Sequence, residues 1–300
     1  MAKAKTQTEV DSANKPGNQV AEVQSGTLAT SADMSEMYAA DKGMGSEEAT
    51  ADAYAIPFLS ILQKGSPQVD ETMGEPLPGA KAGMFFNNVT NELLDGKEGI
   101  LIMPCYFRRD FIRWGPREGG GGGFKGLLSP EEVAGLRQAG KIKDFDGGLY
   151  FPEPDGSVNP KRSHRVGDHR NHYVMYKSKD GHLRGAVLSL TSTQLRKSKQ
   201  LMSLLADVRM EDSKTKQKFS PAAFANWVKA STIGESNDKG SWFGIKFELN
   251  GFTDPETYQI GRKFYTEVRS NNVTVKYEDV DSAGGAPQQR SSRDDPDGAF

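Results

Sequence analysis

The sequence predicts a mainly β domain with helical additions, an α+β fold between two unstructured ends. Three observations predict it. Short apolar runs separated by Gly, Pro, Asn and Asp recur through the middle of the chain, which is the spacing of strands and turns. Two stretches open with a helix-start signature and continue at helical spacing. Hydrophobic residues make up 36% of the 300, enough for one core but low for a core that uses the whole chain. Boundaries follow from composition. Residues 1–52 are rich in Ala, Ser, Thr, Gly and acids, and residues 279–300 are low-complexity, so neither end buries enough surface to offset its ordering entropy. One folded domain is expected over 53–278.

In order, "YAIPFLSILQ" supplies the first apolar cluster through Ile56, Phe58, Leu59, Ile61 and Leu62. "GMFFNNVTNELLDG" and "KEGILIMPCYFRRDFIRW" read as successive strands, with Pro104 at a bend or edge because it has no N–H for a ladder. Residues 115–167 read as a long loop insertion. "NHYVMY" and "RGAVLSLT" flank Asp180-Gly181, a hairpin signature. "TSTQLRKSKQLMSLLADV" has Ser/Thr caps and Leu195, Met202 and Leu205 at helical spacing, and "SPAAFANWVKA" has Ser220 as cap and Pro221 at the first helical position. "SWFGIKFEL" alternates cleanly, with Phe243, Ile245, Phe247 and Leu249 on one face and Trp242, Lys246 and Glu248 on the other. "PETYQIGRKFYTEV" suits helix or strand equally.

Bulk properties exclude several classes. Cys105 is the lone cysteine, so no internal disulfide forms and a cysteine-paired zinc site is ruled out. No apolar run reaches the roughly 20 residues of a membrane span, and "MAKAKTQTEV" lacks the apolar stretch of a secretory signal, so a soluble, cytoplasmic protein is expected. Charge is unevenly spread. Residues 1–100 carry 7 basic against 15 acidic side chains, whereas residues 101–200 carry 18 against 10. A basic middle between acidic flanks is the asymmetry of a chain that meets a polyanion.

Within the basic third, "YFRRDFIRW" is the most informative stretch. If extended, Phe107, Arg109, Phe111 and Arg113 share one face, alternating π-faces for bases with cations for phosphates. Arg108 and Trp114 belong to the same stretch, and Tyr173, Tyr176 and Trp242, with Lys246 beside it, are further stacking and phosphate candidates. "EGGGGGFKG" lacks the Gly-Lys-Ser/Thr ending of a phosphate loop; it reads as a hinge carrying Phe124 and Lys125. "NPKRSHRVGDHRNHY" reads as a cationic loop that presents Lys161, Arg162, Arg165 and Arg170. The alternative there is a metal site of His164, Asp168, His169 and His172, which would make the protein a metal-dependent nuclease. Arg196, Lys197 and Lys199 are expected on the exposed face of their helix. No nucleophile elbow, paired-His zinc helix or supported Cys–His pair is present, so neither an enzyme nor a cofactor is expected.

"IPFLSILQKGSPQVDE", "GILIMPCYFRRDFIRW" with its Gly-rich continuation, and "LSLTSTQLRKSKQ" resemble a group of bacteriophage single-stranded DNA-binding proteins, over about 55–205. The ending "SSRDDPDGAF" is similar to the acidic tips of bacterial and phage proteins of that function, although Gly298 and Ala299 separate its acids from the aromatic. The resemblance implies an OB-like, partly open β-barrel. It implies a non-enzymatic protein that coats single-stranded DNA without sequence specificity during replication or recombination, in the cytoplasm of the infected host. It also implies recruitment of replication proteins (polymerase, primase-helicase or recombination factors) through Asp294, Asp295, Asp297 and Phe300. A protein–protein adaptor for transcription or assembly is the second alternative.

Overall fold

A computed structural model describes residues 37–48, 56–116, 122–238 and 240–270. The tail residues Asp294, Asp295, Asp297 and Phe300, and most of the 1–52 segment, lie outside the described residues. The chain divides into a unit of residues 1–48 and a unit of residues 49–300. In the first, 37–40 form one helical turn followed by exposed turns to 48.

The second unit holds β1 (Leu59–Ile61), β2 (Phe85–Asn87), β3 (Leu93–Leu94), β4 (Ile100–Trp114) and β5 (Phe124–Leu128). Next come α1 (Pro130–Gln138), β6 (Lys143–Phe145), β7 (Gly148–Tyr150), β8 (Arg165–Lys177), β9 (Leu183–Thr191) and α2 (Leu195–Asp207). The chain continues with β10 (Met210–Glu211), β11 (Lys218–Phe219), β12 (Asn226–Asn237), β13 (Gly240–Phe252) and α3 (Pro255–Arg269). The expected mainly β architecture with helical additions is present. Its sheets, however, are antiparallel and open, and do not close into a barrel.

The spine is β4. Its first residues pair with β12, its last with β5, and almost all of it with β8. The register against β8 shifts between Pro104 and Tyr106, so Pro104 stands at a bulge, where its missing N–H breaks no regular ladder. β9 returns along β8 through the Asp180-Gly181 turn, with Gly181 at φ 83° and Ser178 N–H bonded to the His182 carbonyl at 2.9 Å. β13 lines the outer side of β12. The small β1–β2–β3 sheet joins the large one at a parallel bridge, Phe58 to Val187.

Two expectations fail for identifiable reasons, and one open assignment is decided. Residues 115–167 are not a loop. They hold β5, α1, β6, β7 and the start of β8, and Val133 of α1 packs with Phe111, Ile142, Leu149 and Val166 in a core cluster of their own. α1 is well specified: Pro130 opens it, and Ser129 and Glu132 form a reciprocal capping box. "SPAAFANWVKA" gives only a 3-10 turn, Ala223–Ala225, before β12, because Val228 and Ala230 are buried against β4 and β13 in the main core. The ambiguous "PETYQIGRKFYTEV" is α3, capped by Asp254, whose carboxylate accepts the Thr257 N–H at 2.9 Å.

Glycine is required where sheets meet. A Cβ on Gly96 would run into the Gly83 carbonyl and the Thr232 side chain. Gly96 can therefore approach β12 and accept the Thr232 N–H at 2.7 Å.

Candidate functional site

Paired residues of antiparallel strands point to the same side of the sheet. The register between β4 and β8 therefore puts Phe107, Arg109, Phe111 and Arg113 on one face with His172, Arg170, Asp168 and Val166. The predicted alternation of rings and guanidinium groups exists. Arg108, Asp110, Ile112 and Trp114 face the other way, with Asn171, His169, Gly167 and Arg165.

On the first face both ends are covered. α2 meets it at His172, whose Nε2 lies 2.8 Å from Ser198 Oγ, and α1 meets it at Phe111 and Val166. Phe107 is half-buried, its ring 5.1 Å from the His172 ring. Between these covers lies Arg109, which makes a two-pronged ion pair with Asp168 at 2.9 and 2.8 Å and stacks 4.7 Å over the Phe111 ring. Its side chain is still 41% exposed. The Asp168 hydrogen bonds raise the Arg109 pKa further, so the charge is permanent. Arg170 approaches the same carboxylate at 4.0 Å, and its Nε is buried with no hydrogen-bond partner among the described residues. Arg113 stacks 4.3 Å over Phe151 and donates from Nε to His164 Nδ1 at 3.1 Å. Burial, then the Arg113 and Lys125 charges, lower the His164 pKa and keep that nitrogen an acceptor. Phe111 is a core residue rather than a stacking surface.

The opposite face is more enclosed. Arg108 Nε and Asn171 Nδ2 both donate to Asp110 Oδ2, at 2.9 and 2.8 Å. Trp114 lies 6.0 Å from the His169 ring, above Gly167, where a Cβ would stand 3.1 Å from the indole nitrogen. Tyr173 is fully buried in a cluster with Phe58, Ile112, Val187 and Val268 of α3. Tyr176 is fully buried too, but on the core side, where its hydroxyl donates to Glu92 and receives the Asn87 side-chain N–H at 2.7 Å. Burial pushes both phenols up to about 12. Neither tyrosine can stack a base, contrary to expectation; each ring is spent on the core.

Arg165 and Arg170 belong to β8 and not to a cationic loop, while Lys161 and Arg162 are exposed in the turn before it. Lys125 is exposed on β5, beside the end of β4. Trp242 and Lys246 share a face of β13 as predicted, but Trp242 is half-buried and donates its indole N–H to Glu235, and Lys246 pairs with Glu248 at 3.0 Å. Lys197, expected on an exposed helix face, is buried in an ion pair with Glu235 at 2.7 Å. The histidine cluster does not converge. His169 points to the opposite side of the sheet from Asp168 and His172, and burial drops the pKa of His169 and His172 to about 4. Among the described residues no three His, Cys, Asp or Glu side chains come together to hold a metal.

Two participants were invisible in the sequence. Phe151 meets Arg113 only because β7 pairs with β8, and Asp168 stood out as a metal ligand rather than as the partner that orients Arg109. Among the described residues no helix is long and apolar enough to cross a membrane. A protein-family model described as Pam3 phage gp34-like protein matches residues 23–274. No curated protein and no solved structure matches the chain.

Proposed function

Since the chain belongs to the Pam3 phage gp34-like protein family, we propose that it binds single-stranded DNA through the Phe107–Arg113 face of β4. Binding is without sequence preference and without chemistry on the strand. The observation that carries this reading is the run of guanidinium groups seated on aromatic rings along one strand face. The Arg109 guanidinium carbon sits 4.7 Å from the centre of the Phe111 ring and that of Arg113 4.3 Å from the centre of the Phe151 ring. A guanidinium seated on a ring offers charge to a phosphate and a planar group to a base. Lys125, Lys161 and Arg162 continue the cationic surface beyond it. In this reading the protein works in the infected cell's cytoplasm, and the acids of the tail with Phe300 recruit replication proteins.

Titration of labelled oligo-dT and of duplex of equal length, at two salt concentrations, tests it. Preference for the single strand and a steep loss of affinity with salt are expected. No binding at low salt, or binding indifferent to salt, overturns it. The nuclease reading is disfavoured by the divergence of His169 from Asp168 and His172.

A further inference from the structure

The outer edge of the large sheet is guarded along half its length and open along the other half. β13 is the terminal strand. Alternate residues of an antiparallel strand turn their N–H and C=O groups outward, and on β13 these are 241, 243, 245, 247 and 249. Gln63 closes Phe243 completely. Its side-chain oxygen accepts the Phe243 N–H at 2.8 Å and its nitrogen donates to the Phe243 carbonyl at 3.0 Å, as a neighbouring strand would. Gln194 then takes the Ile245 N–H at 3.2 Å. No protein group takes the outward backbone groups of Phe247 or Leu249 among the described residues. Leu249 is 43% exposed and Phe252 is 55% exposed beside this gap. Unpaired strand edges with apolar neighbours are templates for another strand.

The side chains around the gap specify which strand. We propose that two copies of this chain pair antiparallel at the β13 edge, about a two-fold axis through Phe247. In that register each Phe247 exchanges both backbone hydrogen bonds with its equivalent, and each Leu249 pairs with Ile245 of the other copy, its carbonyl taking the Ile245 N–H over from Gln194. Lys246 of one copy stands opposite Glu248 of the other, on both sides of the axis. Lys246 and Glu248 already lie on the solvent side of the strand, both half-exposed. A one-step slip would instead set Glu248 against Glu248, so charge selects the register. The seam is short, well below the area of a standard interface, and the dimer is accordingly weak and in fast exchange.

Sedimentation velocity of the full chain, from micromolar to millimolar, tests the pairing. The expected result is a monomer–dimer equilibrium. Lys246→Glu and Glu248→Lys each set like charges opposite one another and weaken the dimer roughly tenfold. The double variant recovers wild-type affinity, and an equimolar mixture of the two single variants forms a heterodimer. Leu249→Pro removes an outward N–H that β12 does not use, and is expected to abolish the dimer while thermal unfolding stays near wild type. Should that variant fail to fold, the charge exchanges decide. A monomer throughout, a dimer indifferent to the exchanges, or open-ended oligomers would overturn the proposal. The outcome is independent of DNA binding.

Discussion

The cations of the proposed DNA face divide into those already paired with a carboxylate and those that are not, and this division predicts which substitutions change the salt dependence of binding. Arg109 on that face, and Lys246 on β13, each lie within 3.0 Å of an aspartate or glutamate oxygen. Such a pair has little net charge to give a phosphate. Arg113 has a neutral histidine and a ring as its neighbours, and Lys125 is exposed with no ion pair among the described residues. Each unpaired cation that meets a single-stranded phosphate contributes about 0.7 to the slope of log affinity against log salt. Arg113→Ala with Lys125→Ala therefore flattens the slope by about 1.4, so between 50 and 200 mM salt the wild type loses about sevenfold more affinity than the double variant. The assay is fluorescence anisotropy of labelled oligo-dT over a salt series. Lys246→Ala is the comparison, and it leaves the slope nearly unchanged. Equal effects of Lys246→Ala and Lys125→Ala would refute the division.

Three further outcomes concern stability and are read by thermal or denaturant unfolding. Gly96→Ala drives a methyl group into the Gly83 carbonyl and costs about 3 kcal/mol, whereas Gly126→Ala, which meets nothing, loses far less, from backbone strain at its positive φ alone. Tyr176→Phe strips the hydroxyl that joins Asn87 to Glu92, leaving the buried Asn87 amide short of an acceptor, at a cost of about 1–3 kcal/mol with DNA affinity intact. The third is a pH dependence. His169 and His172 are buried neutral with pKa near 4, below the value of about 6.5 in the unfolded chain, so the unfolded state binds more protons. Their contribution is complete above about pH 6.5 and falls away as pH drops towards 4, by a few kcal/mol. His172→Gln, which keeps a polar group for Ser198, flattens that decline, and an unchanged pH profile would count against it.

What could be read in the sequence was local, and what could not was long-range. Pro104 as a bend and Asp180-Gly181 as a hairpin turn were legible because both constraints act within a few residues. The alternation from Phe107 to Arg113 was legible for the same reason. The helix start at Ser220-Pro221 misled, because pairing of Val228 with both Ile102 and Leu249 outweighed local capping chemistry. Tyr173 looked available because nothing local shows that Val268, far along the chain on α3, packs against the same cluster. The 115–167 segment hid its strands because they are short and half-exposed, their pairing set by β4 and β8 rather than by their own composition.

The extra residue at Cys105 acts as a dislocation in β4. Upstream of it the even-numbered residues lie over the main core, with Ile102 opposite Tyr176 and Pro104 opposite Val174. Downstream the odd-numbered ones share that side of β8, beginning with Phe107 opposite His172. The two halves of the strand are therefore out of phase. Were all fifteen residues to alternate without the bulge, the arginine–aromatic row would instead face the side where Val268 and Tyr173 pack, with Tyr106 and Trp114 sent the other way. Which surface this protein shows to a ligand is set by a miscount of one.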